Sequence, residues 1–316
     1  MTATPIADWA LPRRVVTIAA VVSLVLIAPV VVVFLVIGPA AALSLVMGYT
    51  ASLVPALKVK ARYALALAVP AAMAGVVAAA LNATALPAAC FVALVCLLAA
   101  PANVVQDKLV AGIPTVAAVF ATLPIRLEPM QVGAWMLVGG VIAVAVASRL
   151  RRPAPPQGIP ERTAWIHAVT MAVLVGATIL VVESLNVPHG YWAAMTLTVV
   201  LRPYGAETQM LARQRVLGTV AGALLALGLV LVLPAWALLA ATAVMVVLMV
   251  TYASVGNYAA QVTFMTPLIV LLGSAGGQPI PIAADRILAT GAGAALAIGA
   301  ALALARHERG AGRVTA

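Results

Sequence analysis

The sequence predicts an all-α integral membrane protein of about twelve transmembrane helices, arranged as two parallel six-helix repeats. Three observations carry that expectation. First, 65% of the 316 residues are hydrophobic and only 8% are charged, with a mean hydropathy of +1.16. A soluble domain carries about a quarter charged residues, so too little polar surface is available here to coat a globule in water, and lipid must be the solvent. Second, the polar residues fall between apolar runs close to the roughly 20 residues that a helix needs to cross a bilayer. Third, landmarks in the first half recur in the second at a common spacing.

The apolar runs lie at about 15–35, 37–56, 63–81, 85–101, 104–123 and 130–148, then at about 164–184, 190–202, 216–233, 235–252, 257–273 and 284–305. The basic flank Met1 to Arg14 before the first run resembles a secretory leader, but the run exceeds a typical leader's apolar region and no cleavage signal follows. It is read as a retained span. Between the sets lies the basic, proline-rich strip RLRRPAPPQGIPER. The domain expectation is a first repeat at 1–148, a short cytoplasmic linker at 149–162, a second repeat at 163–305 and a basic tail at 306–316. Pro29, Pro70, Pro114 and Pro267 are expected to kink their helices.

Lysine and arginine placement gives the orientation. With the N-terminus in the cytoplasm, only Arg126 and Arg286 of the 18 basic residues face outward. A wrong number of spans would scramble that bias. The expectation is a multi-pass protein of the inner (plasma) membrane with both termini cytoplasmic. The net charge of +10 follows from this topology and calls for no nucleic-acid partner.

The halves resemble each other. Gly38-Pro39-Ala40-Ala41 aligns with Gly190-Tyr191-Trp192-Ala193, Arg62 with Arg215 and Pro114 with Pro267, all at an offset of about 152 residues. With an even number of spans per unit, such repeats run parallel, about an axis along the membrane normal.

Most of the chemistry-bearing side chains lie in or near His189 to Leu224, where aromatics, an acid, three arginines and the spacing Gly218-x-x-x-Gly222 occur together. Small residues at that spacing let a second helix approach closely in lipid. Arg202, Arg213 and Arg215 are candidates to hold an organic anion, because a guanidinium pairs with a carboxylate through two parallel hydrogen bonds. The bland alternative is that they obey the positive-inside rule and bind lipid phosphates. Glu207 neutralises one of them, gates the site, or is a solvated loop acid.

Tyr191 and Trp192 are candidates to stack on an aromatic substrate, or members of an interfacial belt with Tyr204 and Trp236. Thr263 and Thr266, three apart on one helix face, either line a path or bond back to their own backbone. Asp285 and Glu183 are the candidate proton-coupling acids. Asp285 begins the last span beside Arg286, and a charge within a span is costly unless paired or facing a cavity. His189 shares the outer loop with Glu183, and histidine is the side chain that changes charge between pH 5 and 8. Asp107 and Lys108 close an inner loop of the first half. Cys90 and Cys96 read as packed thiols, and Asn82-Ala83-Thr84 matches a glycosylation sequon with nothing else to support it.

The pattern GYWAAMT…R…RQRVLGTVAG over 190–222 resembles the fusaric acid resistance family of membrane proteins. Asn257-Tyr258 with Thr263-Phe264-Met265-Thr266-Pro267-Leu268, and Asp285-Arg286 with Thr290-Gly291, resemble two later spans of that family. The resemblance covers about 163–305, and the first half only through the repeat. It implies a membrane transporter that exports aromatic carboxylic acids, distantly like plant aluminium-activated malate channels. The departure is the short linker, since several family members carry a large soluble domain there.

No Walker A sequence, metal-protease helix or nucleophile elbow occurs, and the three histidines are dispersed. The expectation is therefore no enzyme, no cofactor and no metal. The function expected is proton-gradient-driven export of small organic anions, with a passive organic-anion channel and a non-transporting, lipid-organising envelope protein as rivals. The partners expected are the anion and the lipid bilayer, and homo-oligomerisation stays open.

Overall fold

A computed structural model describes residues 13–82, 84–123, 126–150, 157–273 and 279–314. The linker residues 151–156, with Arg151 and Arg152, lie outside the described residues, as do Ala83 of the sequon, residues 1–12 and the side chain of Trp236. The described residues form twelve α-helices and no strand: α1 (Arg13–Val36), α2 (Pro39–Lys58), α3 (Ala61–Leu81), α4 (Ala85–Val105), α5 (Gly112–Thr122), α6 (Pro129–Leu150), α7 (Glu161–Ser184), α8 (Tyr191–Val200), α9 (Gly205–Val232), α10 (Ala235–Ser254), α11 (Tyr258–Gly273) and α12 (Pro279–Val314). Only helices satisfy every backbone group internally in lipid without closing into a barrel, so an all-helical chain is what this composition demands.

Among the described residues, eight helices are long and apolar enough to cross a membrane: α1, α2, α3, α4, α6, α7, α9 and α12. The chain is a multi-pass membrane protein. Two of the remaining helices are short in a telling way. α5 has 11 residues and α8 has 10, about 15 Å each at 1.5 Å per residue, half of a hydrocarbon core of about 30 Å. The apolar run at 104–123 predicts a longer fifth span. Instead α4 continues through Pro101 to Val105, and α5 starts only at Gly112, after a connection in which Lys108 adopts a left-handed backbone with φ 59°.

The chain divides into two compact units, Met1–Ala28 with Leu217–Ala283, and Pro29–Val216 with Ala284–Ala316. The first unit contains α10, α11 and the later part of α9. Here the Gly218-x-x-x-Gly222 stripe does what its spacing suggests. A Cβ on Gly218 would lie 2.7 Å from the Ala259 carbonyl, and one on Gly222 would overlap the Thr263 carbonyl and crowd Thr266 and Pro267. Stacked rings of Tyr252 and Phe264, 5.5 Å apart, join α10 to α11.

The second unit is built on small residues. Its core is rich in buried alanine, with Val92, Val116, Phe120, Met136, Val175, Ile179 and Leu197 filling the space between helices. Hydrophobicity alone does not hold helices together in lipid, so close van der Waals packing must. The tightest approach is between α2 and α6. A Cβ on Gly48 would overlap the Met136 carbonyl, and a Cβ on Gly139 would overlap the Leu45 carbonyl. These glycines carry no recognisable spacing motif, and the reciprocal contact is visible only in the fold.

α5 and α8 lie side by side within this unit. Every side chain of α5 from Pro114 to Ala121 is buried, as are Trp192, Ala193, Ala194, Thr196, Leu197, Thr198 and Val200 of α8. The Thr115 hydroxyl donates to Thr198 Oγ1 at 3.0 Å, and Thr198 Oγ1 donates to the Met195 carbonyl at 2.9 Å.

Candidate functional site

Two cavities bracket the α5–α8 pair, one at each end. The first is lined by Cys96, Ala99 and Asn103 of α4, Asp107 and Lys108 of the connection, Ala111 and Pro114 at the start of α5, His167, Ala168 and Met171 of α7, and Thr198, Arg202 and Pro203 at the end of α8. Its volume is about 30 Å³, room for two or three waters. The second, of about 540 Å³, is lined by Asn82, Thr122, Leu123, Val182, Glu183, Asn186, His189, Gly190 and Tyr191 among others. α5 runs from the first cavity to the second, and α8 runs the other way. Each short helix therefore presents its N-terminal amides, with their partial positive charge, to a different cavity.

The first cavity is the basic end. Lys108 Nζ donates to Glu207 Oε1 at 2.7 Å and lies 3.6 Å from Asp107 Oδ2. Arg202 Nε lies 3.7 Å from the same Glu207 oxygen. Lys58, the last residue of α2, donates to the Asp107 carbonyl. The loop that carries Arg202 is tied to α9: the Arg202 amide donates to Thr208 Oγ1 at 2.9 Å, and that hydroxyl donates back to the Arg202 carbonyl at 3.2 Å. Just before α7, residues 157–159 pair with the α4–α5 connection. The Asp107 amide donates to the Gln157 carbonyl at 2.8 Å and the Ile159 amide to the Asn103 carbonyl at 3.1 Å. A Cβ on Gly158 would overlap the Val104 carbonyl, so only glycine permits that approach.

The second cavity differs in charge: among the described residues, no lysine or arginine lines it. At its rim His189 Nδ1 lies 2.9 Å from Asp285 Oδ2, joining the α7–α8 loop to α12. The loop is held in an unusual conformation, with left-handed backbone at both Asn186 (φ 48°) and His189 (φ 54°); non-glycine residues seldom adopt it. Asn82 donates its side-chain amide to the Phe120 and Leu123 carbonyls at 3.0 and 2.7 Å, satisfying the end of α5.

The candidates read from sequence distribute unevenly over this arrangement. Arg202 lines the basic cavity, whereas Arg213 is exposed and Arg215 is 2% exposed, and neither lines that cavity. Being two residues apart on α9, Arg213 and Arg215 project to different sides of the helix. Tyr191 and Glu183 both line the larger cavity. Trp192 is buried, its ring 4.6 Å from that of Tyr191 and 4.0 Å from the guanidinium carbon of Arg286. A guanidinium at that distance is in cation–π contact. Arg286 is fully buried, so the indole supports an intramembrane cation. Thr263 and Thr266 belong to the other compact unit, where both hydroxyls donate to carbonyls four residues back, at 3.0 Å.

Three residues of the basic cavity were not singled out from sequence: Asn103, His167 and Thr198. The signal was present for two of them. Asn103 and His167 are isolated polar groups inside apolar helices, and such residues mark functional paths more often than not. Cys96, a free thiol, is buried against the same cavity, while Cys90 is exposed. Among the described residues, no group of three histidine, cysteine or acidic side chains is placed to hold a metal ion.

Comparison with known proteins singles out one region. A family model described as fusaric acid resistance protein-like matches residues 174–300, from within α7 into α12, and all three stretches that carried the resemblance lie inside it. An uncharacterized protein, ORF2, of Neisseria gonorrhoeae is 37% identical over 67 residues, covering 21% of this chain and 16% of that protein. The chain thus matches well under two thirds of that relative's length. No solved structure matches the chain.

Proposed function

We propose that this multi-pass chain, fusaric acid resistance protein-like over residues 174–300, exports small organic anions, aromatic carboxylates among them, across the inner membrane at the expense of the proton gradient. The observation that carries the reading is the pair of cavities on either side of two half-length helices, cationic at one end and without lysine or arginine at the other. The basic end faces the cytoplasm by the positive-inside rule. An organic anion is then attracted by Lys108 and Arg202 inside and meets Glu183 and the Asp285–His189 pair outside, a gradient of affinity that favours release outward. The pathway is short because α5 and α8 leave only about 15 Å between the cavities. In this reading α1–α6 and α7–α12 are parallel repeats, with α2 matching α8 and α5 matching α11.

One observation favours a second reading, a passive anion channel. The ionised side chains buried among the described residues are Arg215 and Arg286, and no aspartate or glutamate is among the buried residues. A conducting path for anions needs only cations, whereas proton coupling must run through a rim acid such as Asp285.

The two are separated by uptake of radiolabelled benzoate into inverted membrane vesicles. The exporter gives concentrative uptake that collapses with an uncoupler and with Asp285→Asn. Uptake that follows the anion gradient alone and survives Asp285→Asn identifies a channel. No uptake above empty vesicles across a panel of aromatic acids overturns both, in favour of a lipid-organising role.

A further inference from the structure

Lys108 and Arg202 reach for one and the same oxygen. Lys108 Nζ stands 2.7 Å from Glu207 Oε1, and Arg202 Nε stands 3.7 Å from it. An ammonium and a guanidinium converging on one carboxylate recognise the group rather than the residue that bears it. The geometry around them is fixed before any ligand arrives. Thr208 ties the Arg202 backbone to α9, and the Asp107 amide is tied to Gln157. The left-handed backbone of Lys108 is a conformation that persists only where surrounding structure holds it.

Behind this carboxylate lies the basic cavity, too small for a benzoate ion in this state. Asn103 lines it, is 9% exposed, and has a buried Oδ1 with no hydrogen-bond partner among the described residues. An unpaired buried acceptor costs free energy, so a polar occupant of the cavity would relieve it. Glu207 itself sits in the first turn of α9 with about 30% of its side chain exposed, so it can swing into water without stranding a buried charge.

We infer that Lys108 and Arg202 form a carboxylate-binding site that Glu207 occupies as a built-in stand-in, and that an organic carboxylate loads from the basic end by displacing Glu207. Loading and opening are then one event: the incoming carboxylate takes over both cations, and the bridge between the α4–α5 connection and α9 is broken. Glu207 keeps affinity low enough for the anion to be handed on. Asp107, 3.6 Å from Lys108, remains as a counter-charge after Glu207 leaves. The identity of the ligand as an organic anion rests on the function proposed above.

The test measures benzoate binding by calorimetry to the full-length protein in nanodiscs of phosphatidylcholine, a zwitterionic lipid that offers no net anionic headgroup. Glu207→Gln and Glu207→Ala are expected to bind benzoate at least about tenfold more tightly than the wild type. Adding Lys108→Ala or Arg202→Ala to either variant is expected to abolish the gain. Unchanged or weaker binding by both Glu207 variants, or a gain that survives Lys108→Ala, overturns the site. Benzoate flux in vesicles separates the two claims. Tighter binding by Glu207→Gln without flux in any variant upholds the site and overturns the exporter. Flux with unaltered binding overturns the site and leaves the exporter standing.

Discussion

Arg202→Ala is expected to lower benzoate uptake into inverted vesicles by about 10- to 150-fold while leaving the protein folded. A hydrogen bond to a charged group contributes about 1.5–3 kcal/mol, and each 1.4 kcal/mol is tenfold in affinity. The effect falls on transport because the structural tie at this position is the backbone amide on Thr208 Oγ1, which alanine retains. Arg202→Lys is expected to recover part of the loss, since lysine restores the charge but not the planar fork of donors. Arg213 provides the internal control. It is exposed on α9 and lines neither cavity, so Arg213→Ala is expected to change uptake by less than about twofold, within the usual surface effect of about 0.5 kcal/mol. If the two substitutions were equally damaging, the basic cavity would not be where the anion is taken up.

Gly48→Val is expected to abolish recovery of folded protein. Overpacking typically costs about 1–3 kcal/mol when neighbouring side chains can shift. Here the obstacle is the Met136 carbonyl of α6, backbone that cannot rotate away without moving the helix. Gly139→Val meets the Leu45 carbonyl of α2 in the same way, so the two substitutions attack one interface from both sides and are expected to fail alike. Gly228→Val adds the same side chain where a Cβ would meet nothing within 4 Å, and is expected to be neutral. Fluorescence-detected size exclusion in detergent, followed by a thermal unfolding curve, reads all three.

Much of this was legible in the chain, for reasons that differ by level. Crossing helices announce themselves because lipid tolerates so few alternatives. The run at 216–233 and its glycine pair read as a close-packing helix, and Gly218 and Gly222 do lie against α11. Register was harder. The apolar run at 104–123 concealed a helix end at Val105 and a left-handed turn at Lys108, because apolar composition alone does not mark where a helix stops.

The site was least legible. Glu207 stands 99 positions from Lys108, and His189 stands 96 from Asp285. No local pattern encodes such pairs, since the first joins the α4–α5 connection to the start of α9 and the second joins the α7–α8 loop to α12. Arginine type pointed to Arg202, Arg213 and Arg215 alike. Arg202 lies at the cavity because it sits in the loop after α8, while on α9 helical rotation leaves Arg213 exposed and Arg215 buried.

The most direct measurement is protection of a single cysteine in the basic cavity. Ala168 lines it and is 3% exposed, so Ala168→Cys in a background carrying Cys90→Ser and Cys96→Ser reports on that space alone. In the proposed orientation, inverted vesicles expose the basic end to a membrane-impermeant maleimide. The expected result is slow labelling in the wild-type ion network, faster labelling when Glu207→Gln is added, and protection by benzoate in both. Labelling that benzoate leaves unchanged, in vesicles that still transport benzoate, would contradict passage of the anion between α5 and α8 from this end.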